Sequence, residues 1–267
     1  MRLSFKNELY SHIILIPLIS GYFFYESRKS LLSEVRTSIP LGTAIAVLGS
    51  ILYVAGLSQG GKLHPNDRLS ILLFSAVTFW IGGFVFLYGV RSFRAAAFPL
   101  LFLFFLTPVP IFVIERFILV LQIASTEVTH LFFRITGVPV LREGFTFHLP
   151  GLSIEVAKQC SGIRSSIALV ITSIIAGKLF LNTGWRKWIL VLAIFPVTVF
   201  KNGLRIVTLT LLGTYVDPRI LGSELHKSGG IPFFAVALLL LAPVLWFLIK
   251  SEKRQKRKGE EWIKQKD

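Results

Sequence analysis

The sequence predicts an all-α polytopic membrane protein. About seven transmembrane helices are expected, with one interfacial amphipathic helix and a small extracytoplasmic β-hairpin. Three observations carry this. Of the 267 residues, 53% are hydrophobic and 16% charged, where a soluble domain of this size carries about 25% charged residues. The mean hydropathy is +0.68. Apolar runs near the roughly 20 residues needed to cross about 30 Å of hydrocarbon recur along the chain.

Met1 to Tyr10 is polar, and no small-residue cleavage site follows the first apolar run, so no cleavable signal peptide is expected. Spans are expected at 12–25, 39–57, 70–90, 95–113, 161–181, 187–212 and 231–249. Pro108 and Pro110 end the fourth. Over 111–135, Glu115, Gln122, Thr126, Thr129, His130 and Arg134 recur at helical spacing opposite a face of Ile, Phe, Val and Leu. Such a helix is expected to lie in the interface plane rather than to cross. An eight-span chain in which it crosses is the alternative. The period then changes to two. Phe145, Phe147 and Leu149 alternate with Thr146 and His148, Pro150-Gly151 signals a turn, and Leu152, Ile154 and Val156 alternate with Ser153 and Glu155. This predicts the hairpin.

The formal charge is +15, from 29 Lys and Arg against 14 Asp and Glu. Its placement argues against nucleic acid as a partner. Lys250, Lys253, Arg254, Lys256, Arg257, Lys258, Lys264 and Lys266 crowd behind the last span, as in a cytoplasmic anchor against anionic membrane lipid. The expected organisation is one membrane domain over 1–250 and a basic cytoplasmic tail over 251–267. With that tail inside, the loops bearing Arg28, Lys29 and Arg36, then Arg91 and Arg94, then Arg186 and Lys187 also fall inside. Seven spans put the amino terminus outside.

Cys160 is the only cysteine, so an intramolecular disulfide is excluded. Inert packing, metal ligation and nucleophilic chemistry remain. Metal is disfavoured, because one Cys and the scattered His12, His64, His130 and His148 do not supply a ligand set at usual spacing. No metal or other cofactor is expected. At about 1.5 Å per residue, Cys160 lies about 27 Å from Lys178 on its own helix, and Arg205 about 27 Å from Lys187 on the next. His226 sits just before Gly230, itself about 30 Å from Lys250. All three therefore arrive near the outer boundary.

A helix amino terminus and nearby cations such as Arg164 favour a thiolate at Cys160. His226 could move a proton near neutral pH, and Arg205 could donate to an oxyanion. Together they describe acyl transfer through a thioester. Each also has a plainer role: a packed thiol, a snorkelling arginine, a solvated histidine. A transporter or lipid-carrier handler that binds an anionic head group through Arg164 and Arg205 is the alternative function. It calls for discontinuous helices and repeat symmetry, and no internal repeat is evident.

Leu141-Arg142-Glu143-Gly144, His148-Leu149-Pro150, Ile154-Glu155-Val156-Ala157 and Cys160-Ser161-Gly162-Ile163-Arg164-Ser165 resemble the exosortase/archaeosortase family. Asn202-Gly203-Leu204-Arg205 is similar to its Asn-x-x-Arg motif, and His226-Lys227-Ser228-Gly229-Gly230 to its His-x-x-x-Gly motif. Tyr10-Ser11-His12 resembles its amino-terminal segment, although Ile13 stands where Gly is usual and many members have one more preceding span. The resemblance implies a multi-pass cysteine transpeptidase of the inner membrane, with Cys160, Arg205 and His226 as catalytic residues. Arg164, Asn202, Ser161 and Gly162 support them. Its expected partners are exported proteins with carboxy-terminal sorting signals: a short motif such as Pro-Glu-Pro, a transmembrane helix and a basic cluster. Cleavage is expected on the outer side, with transfer to an acyl acceptor that the sequence does not identify.

Overall fold

The computed structural model of the protein describes residues 13–32, 35–59, 61–158, 162–217, 219 and 230–264. The chain divides into two compact units, Met1–Glu115 and Arg116–Asp267.

The first unit holds α1 (Leu15–Leu32), α2 (Ile39–Ser58), α3 (Pro65–Ala95) and the short α4 (Ala97–Phe102), which tightens into a 3-10 turn at Leu103–Leu106. Gly42, Gly49 and Gly56 recur every seventh residue on the buried face of α2. They bring it into backbone contact with α3, where a Cβ on Gly49 would lie 2.7 Å from the Phe79 amide nitrogen. Small residues at a helix seam are the usual route to close packing where lipid removes the hydrophobic drive. α3 kinks at Gly89 (φ 81°, ψ 175°), whose bare Cα lies against the Arg36 carbonyl, so only glycine fits there. Leu31, Val77, Ile81, Phe84, Val85, Ala96 and Leu100 form this unit's core.

The expected fourth span, 95–113, does not form as one helix. It stops at Leu106, and α5 (Ile111–Thr136) leaves at a bend of 89°. Pro108 and Pro110 stand in the break, as expected. The start of α3 satisfies the interrupted backbone. Ser70 Oγ donates to the Pro108 carbonyl (2.6 Å), Asn66 Nδ2 to the Val109 carbonyl (2.9 Å), and Asp67 Oδ1 accepts from the Ile111 amide (2.7 Å). Irregular backbone in an apolar setting needs such partners.

Among the described residues, four segments are long and apolar enough to cross a membrane: Ile39–Ser58, Pro65–Ala95, Gly184–Tyr215 and Pro232–Lys258. Counting the bent pair as one span makes five. α1 and the later α6 fall short, so the described helices do not reach the expected seven.

The second unit contains most of α5, a three-stranded antiparallel sheet, and four more helices. The sheet joins β1 (Leu141–Glu143), β2 (Thr146–Leu149) and β3 (Leu152–Glu155) in sequence order. The expected hairpin is β2–β3, turning at Pro150-Gly151 with Leu149 opposite Leu152. β1 is an extra strand, too short to stand out from alternation alone. Phe147 and Leu149 pack with Phe133, Val156 and Val207, seating the sheet on α5 and α8. α6 (Ile163–Phe180), α7 (Gly184–Leu192), α8 (Ile194–Tyr215) and α9 (Gly230–Lys264) follow. The expected 187–212 span is α7 and α8, which begin at Gly184 and break at Ala193. α9 runs through the basic stretch, so the boundary expected at 250 falls inside a helix.

The polar stripe of α5 faces the protein rather than water. Gln122, Thr126 and Thr129 are buried, His130 is half-buried, and Glu115 and Arg134 are exposed. Phe117, Val120, Ile123, Leu131 and Ile135 are turned outward. The periodicity anticipated two faces and assigned them the wrong way round. Hydrogen bonds inside a protein satisfy hydroxyls and amides, while an apolar exterior suits a hydrocarbon solvent.

Arg186 is also buried. It donates to Thr183 Oγ1 (3.0 Å) and Gln255 Oε1 (2.6 Å) and pairs with Glu252 (3.6 Å). Glu252 also accepts from the Thr183 amide (2.8 Å). The turn before α7 and the basic part of α9 are therefore locked at one end of the unit.

Candidate active site

Gly162 opens α6 in the left-handed region (φ 78°), where an L side chain would be strained. No side chain caps this helix start. The Gly162 carbonyl instead draws in the first turn, accepting from Ser165 Oγ (2.9 Å), Ser166 Oγ (2.9 Å) and the Ser166 amide (3.0 Å). Uncapped amides and the helix dipole give such an end a partial positive charge.

The same glycine rests on α8. A Cβ on Gly162 would sit 3.4 Å from both Lys201 Nζ and Asn202 Oδ1. Lys201, only 2% exposed, donates to Ser165 Oγ at 2.5 Å. Ser166 Oγ reaches Thr198 Oγ1 at 3.4 Å, a second tie between α6 and α8. Arg205 is half-buried one turn beyond Lys201 on the same helix.

Behind α8 lies the polar stripe of α5. Asn202 is fully buried and donates to Ser125 Oγ (3.1 Å). At Gly203 the two helices touch, since a Cβ there would be 2.7 Å from Val128 Cγ1 and 3.3 Å from the Thr129 amide. Gln122 Nε2 donates to the Val156 carbonyl (2.5 Å), fixing the chain just after β3. Arg142 of β1 forms a bidentate pair with Glu127 of α5 (3.0 and 2.6 Å), which raises the guanidinium above its ordinary pKa. The sheet, α5, α8 and the start of α6 thus enclose the segment that carries Gly162.

Of the residues singled out in the sequence, Gly162, Asn202 and Arg205 meet here. Arg164 occupies the first turn of α6. Cys160, Ser161 and His226 lie outside the described residues. Chain connectivity alone holds the Cys160 Cα within about 7 Å of that of Gly162.

Lys201 and Ser165 were not anticipated as site residues. The signal was present, since a lysine within an apolar run is costly and functional by default. It was overlooked because it adjoins the more conspicuous Asn202 and Arg205. Among the described residues no carboxylate pairs with Lys201, and Arg205 is the charged group acting on it. Two cations one turn apart, beside an uncapped helix start, can hold or stabilise an anion.

No curated protein and no solved structure matches this chain. The family model described as "Transmembrane exosortase" matches residues 4–243. That range takes in both motifs that meet at Gly162 and Asn202, and the chain belongs to the transmembrane exosortase family.

Proposed function

We propose that this chain is a cysteine transpeptidase that cleaves the carboxy-terminal sorting signals of exported proteins. The observation that carries the reading is the seat of Gly162, two residues after Cys160, on Lys201 and Asn202, one turn from Arg205. The Cys160 sulfur attacks the scissile carbonyl carbon, and Arg205 donates to the oxygen as it gains charge. The C–N bond breaks, His226 returns a proton to the departing amine, and a thioester remains. An acceptor amine, or water, then attacks the thioester and frees the thiol.

The rest of the reading concerns the membrane. Seven spans would be completed by α1, the 97–106 segment and α6. The enzyme would lie in the inner membrane with its carboxyl terminus cytoplasmic and its site facing outward. A substrate helix in the bilayer with its basic end inside would deliver the sorting motif to that level.

β3 is an outer strand of the sheet. Leu149 and Leu152 flank a two-residue turn, and the Val156 amide donates to the Phe145 carbonyl (2.9 Å). By antiparallel alternation the Ser153 and Glu155 amides face away from β2. An extended motif could pair there, four to six residues before Cys160.

The test is processing of a co-expressed substrate in cells, read by immunoblot for loss of its carboxy-terminal helix. Cys160→Ala and Cys160→Ser are expected to abolish processing while the protein still accumulates in the membrane. Substantial cleavage by Cys160→Ala rules out the nucleophile.

A further inference from the structure

We propose that Lys201 is a positioning residue whose buried ammonium holds the Cys160 sulfur as a thiolate near neutral pH. This rests on the reading of Cys160 as nucleophile, but its test does not require cleavage.

An ammonium 2% exposed within an apolar helix needs an anion or a polar cage. The described surroundings of Lys201 supply one hydroxyl, Ser165 Oγ at 2.5 Å. That hydroxyl gives its own proton to the Gly162 carbonyl, so it can accept from Lys201 but offers no charge. The other groups around the site are cationic, neutral or already engaged. Arg205 follows on α8 and Arg164 stands in the first turn of α6, both positive. α5 presents Gln122, Ser125 and Thr129, which are uncharged, and Glu127, which is held by Arg142. His130 stacks toward Phe147 of the sheet. Lys158 and Glu155, before the cysteine, are exposed.

The missing negative charge has a candidate in the chain itself. Lys201 Nζ lies 3.4 Å from the Cβ position of Gly162. Cys160 is two residues away, within about 7 Å between Cα atoms. A thiolate near an ammonium and an uncapped helix start is favoured over the thiol. Arg205 then remains for the substrate oxygen, so the two cations of α8 serve different anions.

Cys160 is the only cysteine, so alkylation of the full chain reports on it alone. The rate of iodoacetamide labelling is measured against pH in native membranes, with labelling after denaturation as the reference for total thiol. Wild type is expected to titrate clearly below the ~8.5 of a free thiol. Lys201→Met and Lys201→Gln should raise the midpoint by about one pH unit and slow labelling at pH 7 about tenfold. Lys201→Arg, which keeps the charge, should titrate near wild type. Lys201→Gln keeps a donor for Ser165, so a purely structural role would leave its profile at the wild-type position, and that result overturns the proposal. A wild-type midpoint at or above ~8.5 overturns it without any variant. Cleavage by Cys160→Ala would refute the nucleophile but leave this titration standing. An unshifted titration would refute the role of Lys201 and leave cleavage untouched.

Discussion

Replacing Gly203 with alanine tests whether α8 is held in place by its contact with α5. The new Cβ would sit 2.7 Å from Val128 Cγ1 and 3.3 Å from the Thr129 amide. Comfortable carbon contacts are about 3.5–4.0 Å, so the helices must part by about 1 Å or Val128 must leave its rotamer. Overpacking of this kind costs about 1–3 kcal/mol. Alanine recovers about 1 kcal/mol of helix propensity over glycine. The net loss is therefore up to about 2 kcal/mol. The functional effect should be larger. Arg205 is two residues away, and about 1 Å of misplacement at a reacting centre can cost about 100-fold in rate. Val128→Ala removes the nearer obstacle. The double variant should then lose less stability than the two singles together, with a coupling of about 1 kcal/mol. The assays are thermal unfolding in detergent and initial processing rate, each for wild type, both singles and the double. Additive effects in the double variant, or wild-type behaviour in Gly203→Ala, would refute this account of how α8 is seated.

Arg205→Lys should lose nearly as much processing rate as Arg205→Ala, because a flexible ammonium does not reproduce the fixed planar fork of an oxyanion donor. Equal rates for Arg205→Lys and wild type would reduce Arg205 to charge alone. Ser153→Pro and Glu155→Pro should accumulate normally and lose cleavage, since each removes an amide on the outward edge of β3. Thr146→Pro and His148→Pro fall on the central strand and should lower accumulation as well; cleavage unchanged in the first two would end the strand-pairing idea. Gly49→Val should weaken α2–α3 packing by about 1–3 kcal/mol or more, because its Cβ would meet the Phe79 backbone at 2.7 Å, and detergent unfolding curves would register it.

The sequence by itself determined the solvent of this protein, the order of its helices, the β2–β3 hairpin and the family. Hydropathy, period-two alternation and short motifs are local properties, readable one window at a time. It also carried the pairing of the Cys-x-Gly and Asn-x-x-Arg motifs, through the arithmetic of depth along neighbouring helices.

Only the tertiary structure decided which face of α5 turns inward. Amphipathic spacing gives two faces but not their neighbours, and here Ser125 and Gln122 find Asn202 and the Val156 carbonyl inside the protein. The broken span at 107–110 was equally out of reach, because it depends on Asn66, Asp67 and Ser70, about forty residues earlier in the chain, to satisfy the interrupted backbone. Lys201 is the sharpest case. In the sequence it is one more basic residue in a strongly basic chain. In the fold it is an ammonium sealed between α6 and α8, because Gly162, lacking a Cβ, lets the two helices close over it. Burial and the absence of a countercharge are properties of what surrounds a residue, and the chain brings those surroundings together only when it folds.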